Sequence, residues 1–204
     1  VENVEHELFI VAKDQKPHLL ERLLGEYRGT VLVFTRTKFG AKKLAALVRR
    51  WNHTSAELHS NRSLGQRRQA LDGFKSGAFR VLVATDIAAR GLDVTGIELV
   101  VNYDLPSQAE DYVHRVGRTA RAGRAGKAIS FAQPDQQRDV RDIERLIRIK
   151  LPVSRVPNLP QQPQFVETES RQRPERPFRG SQRPARPFGY QRGGHVFRGR
   201  RQRR

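Results

Sequence analysis

The sequence predicts an α/β fold, a mostly parallel sheet with helices on both faces, followed by a disordered tail. Short apolar runs rich in β-branched residues, such as Val31-Leu32-Val33-Phe34 and Val81-Leu82-Val83-Ala84, read as strands buried on both faces. Stretches with apolar residues at helical spacing stand between these runs, the alternation that a parallel sheet with crossover helices requires. After Pro152 the character changes: Pro157, Pro160 and Pro163 break any helix, and apolar periodicity stops. The expected division is a folded domain over residues 1–153 and a disordered Arg/Pro/Gly/Phe-containing basic tail over 154–204.

The elements follow in order. Leu8-Phe9-Ile10-Val11 is a short apolar run, and Lys16 to Tyr27 places Leu19, Leu20, Leu23 and Leu24 at helical spacing. After the Val31–Phe34 strand, Phe39 to Trp51 is helical, with Leu44, Leu47, Val48 and Trp51 on one side. Ser55 to His59 reads as a short strand, and Ser63 as the cap of a helix running through Leu71 to Phe74. Val81–Ala84 and Ile97-Glu98-Leu99-Val100-Val101 are two further buried strands. Residues 108–116 form a helix, Ala128-Ile129-Ser130-Phe131 a strand, and Gln136 to Ile149 a closing helix with Val140, Ile143 and Ile147 on one stripe. Ligands of such sheets sit beyond the carboxyl ends of the strands.

Charge bounds the partners. The 204 residues carry a net charge of +18. Residues 158–204 hold twelve Arg, no Lys and three acids, which gives this short stretch +9. Both parts are cationic, which points to a polyanion, nucleic acid before an anionic membrane. No stretch approaches the ~18 apolar residues of a spanning helix, so no membrane partner is expected. There is no cysteine, which excludes disulfides and thiolate metal sites and suits a cytoplasmic location. There is no methionine either, and Val1 opens a patterned segment, so a piece of a longer protein is expected. In the tail, Gln172-Arg173-Pro174-Glu175-Arg176-Pro177-Phe178 returns as Gln182-Arg183-Pro184-Ala185-Arg186-Pro187-Phe188. Such a segment buries too little apolar surface to offset its ordering entropy. Its arginines suit phosphates, and Phe178, Phe188, Tyr190 and Phe197 suit bases of single-stranded nucleic acid.

Two dense runs carry the chemistry. One is Ala84-Thr85-Asp86-Ile87-Ala88-Ala89-Arg90-Gly91-Leu92-Asp93, and the other is His114-Arg115-Val116-Gly117-Arg118-Thr119-Ala120-Arg121-Ala122-Gly123. Guanidinium groups stay charged near neutral pH and fork onto phosphate oxygens. Arginines at 115, 118 and 121 recur every three residues, so one helical turn is expected to aim them at one anionic target. The competing reading is a solvated basic helix end, which requires neither the histidine nor the interior glycine.

These two runs, with Val31-Leu32-Val33-Phe34-Thr35-Arg36-Thr37-Lys38, resemble motifs V, VI and IV of the DEAD-box RNA helicases, nearest the bacterial RhlE-type group. The resemblance spans residues 1 to about 152 and implies the RecA-like C-terminal domain of an ATP-dependent RNA helicase. It implies that Arg118 and Arg121 reach the γ-phosphate of ATP as catalytic groups, that Asp93 holds the ribose, and that Gly91 permits close backbone approach. By the same resemblance Thr35, Arg36, Arg67, Thr85 and Arg90 face RNA. His114 couples the ATP and RNA sites, and Arg115 couples motif VI to motif V as an internal brace. For each residue the structural alternative is an ion pair or a cap.

Two positions depart from the family pattern: Leu64 stands where glutamine is usual, and Ser60 where glycine is usual. Arg62, Arg67 and Arg68 still supply charge to that region. No Gly-x-x-x-x-Gly-Lys-[Ser/Thr] and no Asp-Glu-Ala-Asp run occurs, and Gly126-Lys127 leads into a strand instead of opening a helix. ATP with Mg²⁺ is therefore expected to be held mainly by an N-terminal RecA-like domain of the same protein, with this chain adding no metal ligand. The implied partners are that domain and RNA. Two alternatives stay open: a stand-alone RNA-binding module without ATPase activity, and half of a DNA-directed helicase.

Overall fold

Seven short strands pair in parallel, and the runs Val31–Phe34, Val81–Ala84 and Leu99–Asn102 are too apolar to leave either face in water. The computed structural model describes residues 4–89, 94, 97–119 and 126–155. The strands are β1 (Val4–Ile10), β2 (Val31–Phe34), β3 (Ser55–Leu58), β4 (Val81–Ala84), β5 (Leu99–Asn102), β6 (Gly126–Ala132) and β7 (Val153–Ser154). Their order in the sheet is β3-β4-β2-β5-β6-β1-β7. The helices are α1 (Lys16–Glu26), α2 (Lys38–Arg50), α3 (Leu64–Lys75), α4 (Asp86–Ala89), α5 (Ala109–Val116) and α6 (Gln137–Ile147).

The two-residue period of the strands divides the core. Val31, Val33, Val81 and Val83 turn to one face, where Leu19, Leu20, Leu23 and Leu24 of α1 and Leu44 and Val48 of α2 cover them. Leu32, Phe34 and Leu82 turn to the other face, under Ala70 and Phe74 of α3. Tyr112 and Val116 of α5 and Val140 and Ile143 of α6 cover Leu8, Ala128 and Ala132 beside them. Each aliphatic side chain so buried contributes about 1.5–3 kcal/mol before entropy is counted. The expected α/β architecture is observed.

Local chemistry fixes the helix starts near the site. Thr37 caps α2 by accepting the Gly40 N–H at 3.0 Å. Ser63 caps α3 as expected, with a reciprocal box: Ser63 Oγ accepts the Gln66 N–H, and Gln66 Oε1 accepts the Ser63 N–H.

Three of the differences from expectation concern strands. β1 begins at Val4 because its backbone pairs with β6 from Val4↔Gly126 onward, although Glu5 and Glu7 interrupt its apolar pattern. The run from Ile97 contributes only Leu99–Asn102 to the sheet, and Ile97 forms an isolated bridge to Thr119. β7 exists only by pairing with β1, at Leu8↔Val153 and Phe9↔Ser154. The expected tail from Val156 onward lies outside the described residues.

The topology selects the functional edge. From β2 the chain runs through α2 to β3 on one side, and from β5 it runs to β6 on the other. The switch between β2 and β5 opens a crevice beyond their carboxyl ends, at Thr35–Arg36 and Tyr103–Asp104.

Candidate functional site

A cavity of about 240 Å³ lies at this edge, lined by Phe34, Asp86, Ala89, Asp111, His114, Arg115 and Arg118. β2 supplies Phe34, α4 supplies Asp86 and Ala89, and α5 with its outgoing coil supplies the rest.

Arg115 organises the site from beneath. It is 2% exposed. Its Nε and Nη2 donate to the two carboxylate oxygens of Asp86 at 2.6 and 2.8 Å. Nη1 donates to Asn102 Oδ1 at 3.1 Å and to the Asp104 carbonyl at 2.7 Å. Four of its five N–H donors are thus used inside the domain. Its Cζ also lies 4.9 Å from the centre of the Phe34 ring. Asn102 in turn donates to Ser130 Oγ at 3.1 Å. One side chain therefore ties α5 to α4, β5 and, through Asn102, β6.

The expectation that one helical turn aims the arginines at a common anion needs correction for Arg115 and Arg118. Helix α5 ends at Val116, with Gly117 as its C-cap. Arg115 is on the last helical turn and spends its charge on Asp86, while Arg118 follows in the coil. The Arg118 backbone is fixed by two contacts: its N–H donates to the Arg115 carbonyl at 3.2 Å, and its carbonyl accepts the Ile97 N–H at 3.4 Å. Thr119 Oγ1, donating to the Ile97 carbonyl at 2.5 Å, pins the same segment. Arg118 is half-buried and His114 is exposed, both on the cavity wall. Arg90, Gly91, Asp93 and Arg121 lie outside the described residues.

The other expected residues gather along the same edge. Thr35 is 1% exposed and its hydroxyl donates to the Thr37 carbonyl at 3.3 Å. Contact from that pair thus falls to Arg36, which is exposed. The Arg36 backbone N–H donates to Asp104 Oδ2 at 3.0 Å, and its Nη2 to the Leu105 carbonyl at 3.3 Å. Thr85 is 9% exposed, and its carbonyl accepts the N–H groups of Ala88 and Ala89, which starts α4. Arg67 on α3 donates to the Ala88 carbonyl at 3.3 Å, tying α3 to α4.

Sequence reasoning missed Lys16, Asp86 and Asp104. Lys16 is 1% exposed, and its Nζ donates to the Tyr103 carbonyl at 2.8 Å and to Asp104 Oδ1 at 3.0 Å. Burial lowers the Lys16 ammonium from its usual range, and Asp104 opposes that shift. Burial, aided by Asp104, pushes the Tyr103 phenol up to about 12. Asp104 thus serves Lys16 with one carboxylate oxygen and the Arg36 backbone with the other. The available sign was position: both aspartates stand two residues past a buried strand end, where such sheets place their functional groups.

Among the described residues no cluster of His, Cys, Asp or Glu is arranged to hold a metal ion. Among the described residues, the cavity wall sets Arg115, Arg118 and His114 beside Asp86 and Asp111. Among the described residues, no helix is long and apolar enough to cross a membrane.

Residues 15–123 match the family described as helicase conserved C-terminal domain. The ATP-dependent rRNA helicase RRP3 of Candida glabrata is 43% identical over 120 residues, which is 58% of this chain and 24% of that protein. The ATP-dependent RNA helicase vasa of Drosophila melanogaster is 42% identical over 117 residues, 57% of this chain and 18% of that protein. This chain therefore spans about a quarter or less of the length of these curated relatives. Among solved structures, the E. coli DEAD-box protein SrmB superposes with a TM-score of 0.71 at 31% identity, over 75% of this chain and 91% of that one. A DEAD box protein of Methanococcus jannaschii gives 0.72 at 36% identity, over 76% of this chain and 42% of that one. With its motifs at the carboxyl edge of a RecA-like sheet, the chain belongs to the helicase conserved C-terminal domain family, of the DEAD-box type.

Proposed function

We propose that this chain is the C-terminal half of an ATP-dependent RNA helicase. Its task is to supply arginine fingers to an ATP molecule gripped by a preceding RecA-like domain, and to form part of the RNA-binding surface. The observation that carries this reading is the placement of Arg118: its backbone is pinned where the residue lines the cavity, beside an Arg115–Asp86 pair that has already neutralised the buried charge. A guanidinium on such a wall suits charge that develops on a transferring phosphoryl group.

In this reading Arg118 and Arg121 face the γ-phosphate, Asp93 and Gly91 hold the ribose side, and ATP with Mg²⁺ is bound mainly by the other domain. Arg36, Thr85, Arg67 and Arg90 meet the RNA backbone along the carboxyl edge, with Thr35 shaping the turn beneath Arg36. His114 and Arg115 couple the two ligands, since Arg115 joins the segment bearing Arg118 to the segment that begins at Thr85. Closure of the two domains on ATP and RNA would then strain and separate a short duplex. The tail over 154–204 adds non-specific RNA affinity. The RhlE-type subgroup and a cytoplasmic location belong to the same proposal and rest on the sequence resemblance and composition.

The test uses the intact two-domain enzyme. RNA-stimulated ATP turnover should fall by orders of magnitude in Arg118→Ala or Arg121→Ala while RNA binding survives, and RNA should stimulate more strongly than DNA. Normal turnover in both variants would end the arginine assignment. Equal stimulation by DNA would turn the reading toward a DNA-directed motor. Deleting 158–204 should reduce RNA affinity and flatten its dependence on salt, because counterion release scales with the phosphates neutralised.

A further inference from the structure

Among the described residues, the most exposed large apolar side chains are Leu64, Ile87 and Phe39, at 81, 76 and 72%. Single exposed apolar residues are ordinary. These three, however, all emerge just past the carboxyl ends of β3, β4 and β2, which are neighbours in the sheet. Arg36, Lys38, Arg62, Arg67 and Arg68 stand on the same strand-to-helix segments, Arg62 being paired with Glu57.

Phe39 has the most specific surroundings. It lies in the first turn of α2, directly after the Thr35–Thr37 turn. Lys38 Nζ sits over its ring, 5.4 Å from the centroid, and also donates to Asn61 Oδ1 at 3.1 Å in the loop after β3. Lys38 thus links the turn that bears Phe39 to the loop after β3, while most of the ring's surface meets solvent. Helix α2 is also the one helix among those described that carries no acid. It bears Lys38, Lys42, Lys43, Arg49 and Arg50, with Lys42 and Lys43 exposed. Helix α6 is the contrast, because its arginines are interspersed with Asp139, Asp142 and Glu144.

An aromatic ring among unbalanced cations fits a ligand with both flat apolar faces and a chain of negative charge. We propose that Phe39 is a stacking platform for a nucleobase of single-stranded RNA, with Arg36, Lys38 and Lys42 around the flanking phosphates. The proposal rests on the RNA reading above and adds a base contact to its backbone contacts. A strand of negative charge is the better match than a segment such as residues 158–204, which carry +9. Leu64, standing where the resembled family has glutamine, leaves a second apolar contact on the same side of the edge. Stacking is tolerant of sequence because every base has a π-face, so it serves an enzyme that binds RNA without reading it.

The experiment uses the full 204-residue chain and a single-stranded oligouridylate carrying 5-iodouridine. Irradiation followed by peptide mapping should place a crosslink on Phe39, absent in Phe39→Ala and retained in Phe39→Trp. By fluorescence anisotropy, Phe39→Ala should bind the same RNA about fivefold more weakly or worse, and Phe39→Trp about as well as the parent chain. RNA that binds but crosslinks only to other peptides, with Phe39→Ala unchanged in affinity, would overturn the platform and leave the RNA reading standing. Failure of the parent chain to bind RNA at all would take down that reading and the platform with it. If Phe39→Ala altered only self-association by sedimentation velocity, the ring would be a contact between copies and the proposal would fall.

Discussion

Arg115, in the last turn of α5, and Arg118, two residues past the end of that helix, have the same side chain in opposite circumstances. Arg115 is 2% exposed and bonded to one carboxylate, one side-chain amide and one carbonyl. Arg118 is half-buried and borders a cavity. The helix end at Gly117 separates them: it turns one arginine into the domain and leaves the other at its edge. The buried guanidinium is tolerable because its charge and four of its donors are satisfied. A buried brace and an arginine on a cavity wall can therefore sit three residues apart, distinguished by solvent exposure and not by residue type.

The sharpest way to break this comparison is to remove each arginine and read two quantities. In the intact enzyme, Arg118→Ala should lower ATP turnover by about 10³-fold or more, the scale of a missing arginine finger. Its unfolding free energy should move by less than about 1 kcal/mol. Arg115→Ala should instead cost about 3–5 kcal/mol of stability by denaturant titration, because Asp86 is left as an uncompensated carboxylate in a largely buried site. If Arg118→Ala unfolded the domain and Arg115→Ala did not, the two roles would have to be exchanged.

A smaller effect comes from pH. It rests on His59, just past the carboxyl end of β3. It is 5% exposed, and neither ring nitrogen has a hydrogen-bond partner. Burial, then Lys38 and Lys42, lowers its pKa below 6.5. Its unfolded form binds a proton first, so its contribution to stability is full above about pH 6.5 and is lost as pH falls toward the folded value. Replacing it, as in His59→Gln, should flatten the decline in melting temperature below pH 6.5. An unchanged slope would show that other groups carry it. The smallest effect should belong to the exposed Arg145–Asp142 pair on α6, at 3.1 Å. Arg145→Ala should shift stability by no more than about 0.5 kcal/mol.

Most of the sheet was legible because fully buried parallel strands are short, apolar and β-branched. Val31–Phe34 and Val81–Ala84 were placed to the residue. The helix stripes of α1 and α2 were equally clear, and so was the Ser63 cap. What escaped were segments whose strand character comes from a partner, such as Val4 to Glu7 and Val153–Ser154. At the site, the runs bearing Arg115 and Arg118 stood out by composition, but their spacing suggested one helical face where the chain leaves the helix at Gly117. Lys16 and Asp104, 88 positions apart, carried no local sign that they would meet.

By itself, the order of residues determined the α/β alternation, the edge on which the motif loops lie, the cationic balance and the family. Hydrophobic period, cap chemistry and formal charge are local properties, and they survive in a one-dimensional string. Only the tertiary structure decided which arginine is spent on Asp86 and which borders the cavity, that Lys16 and Asp104 hold the turn at Arg36, and that Phe39 stays in solvent. Each of those outcomes depends on burial and on contacts between distant segments, and burial is set by the packed whole, not by any residue's neighbours in sequence.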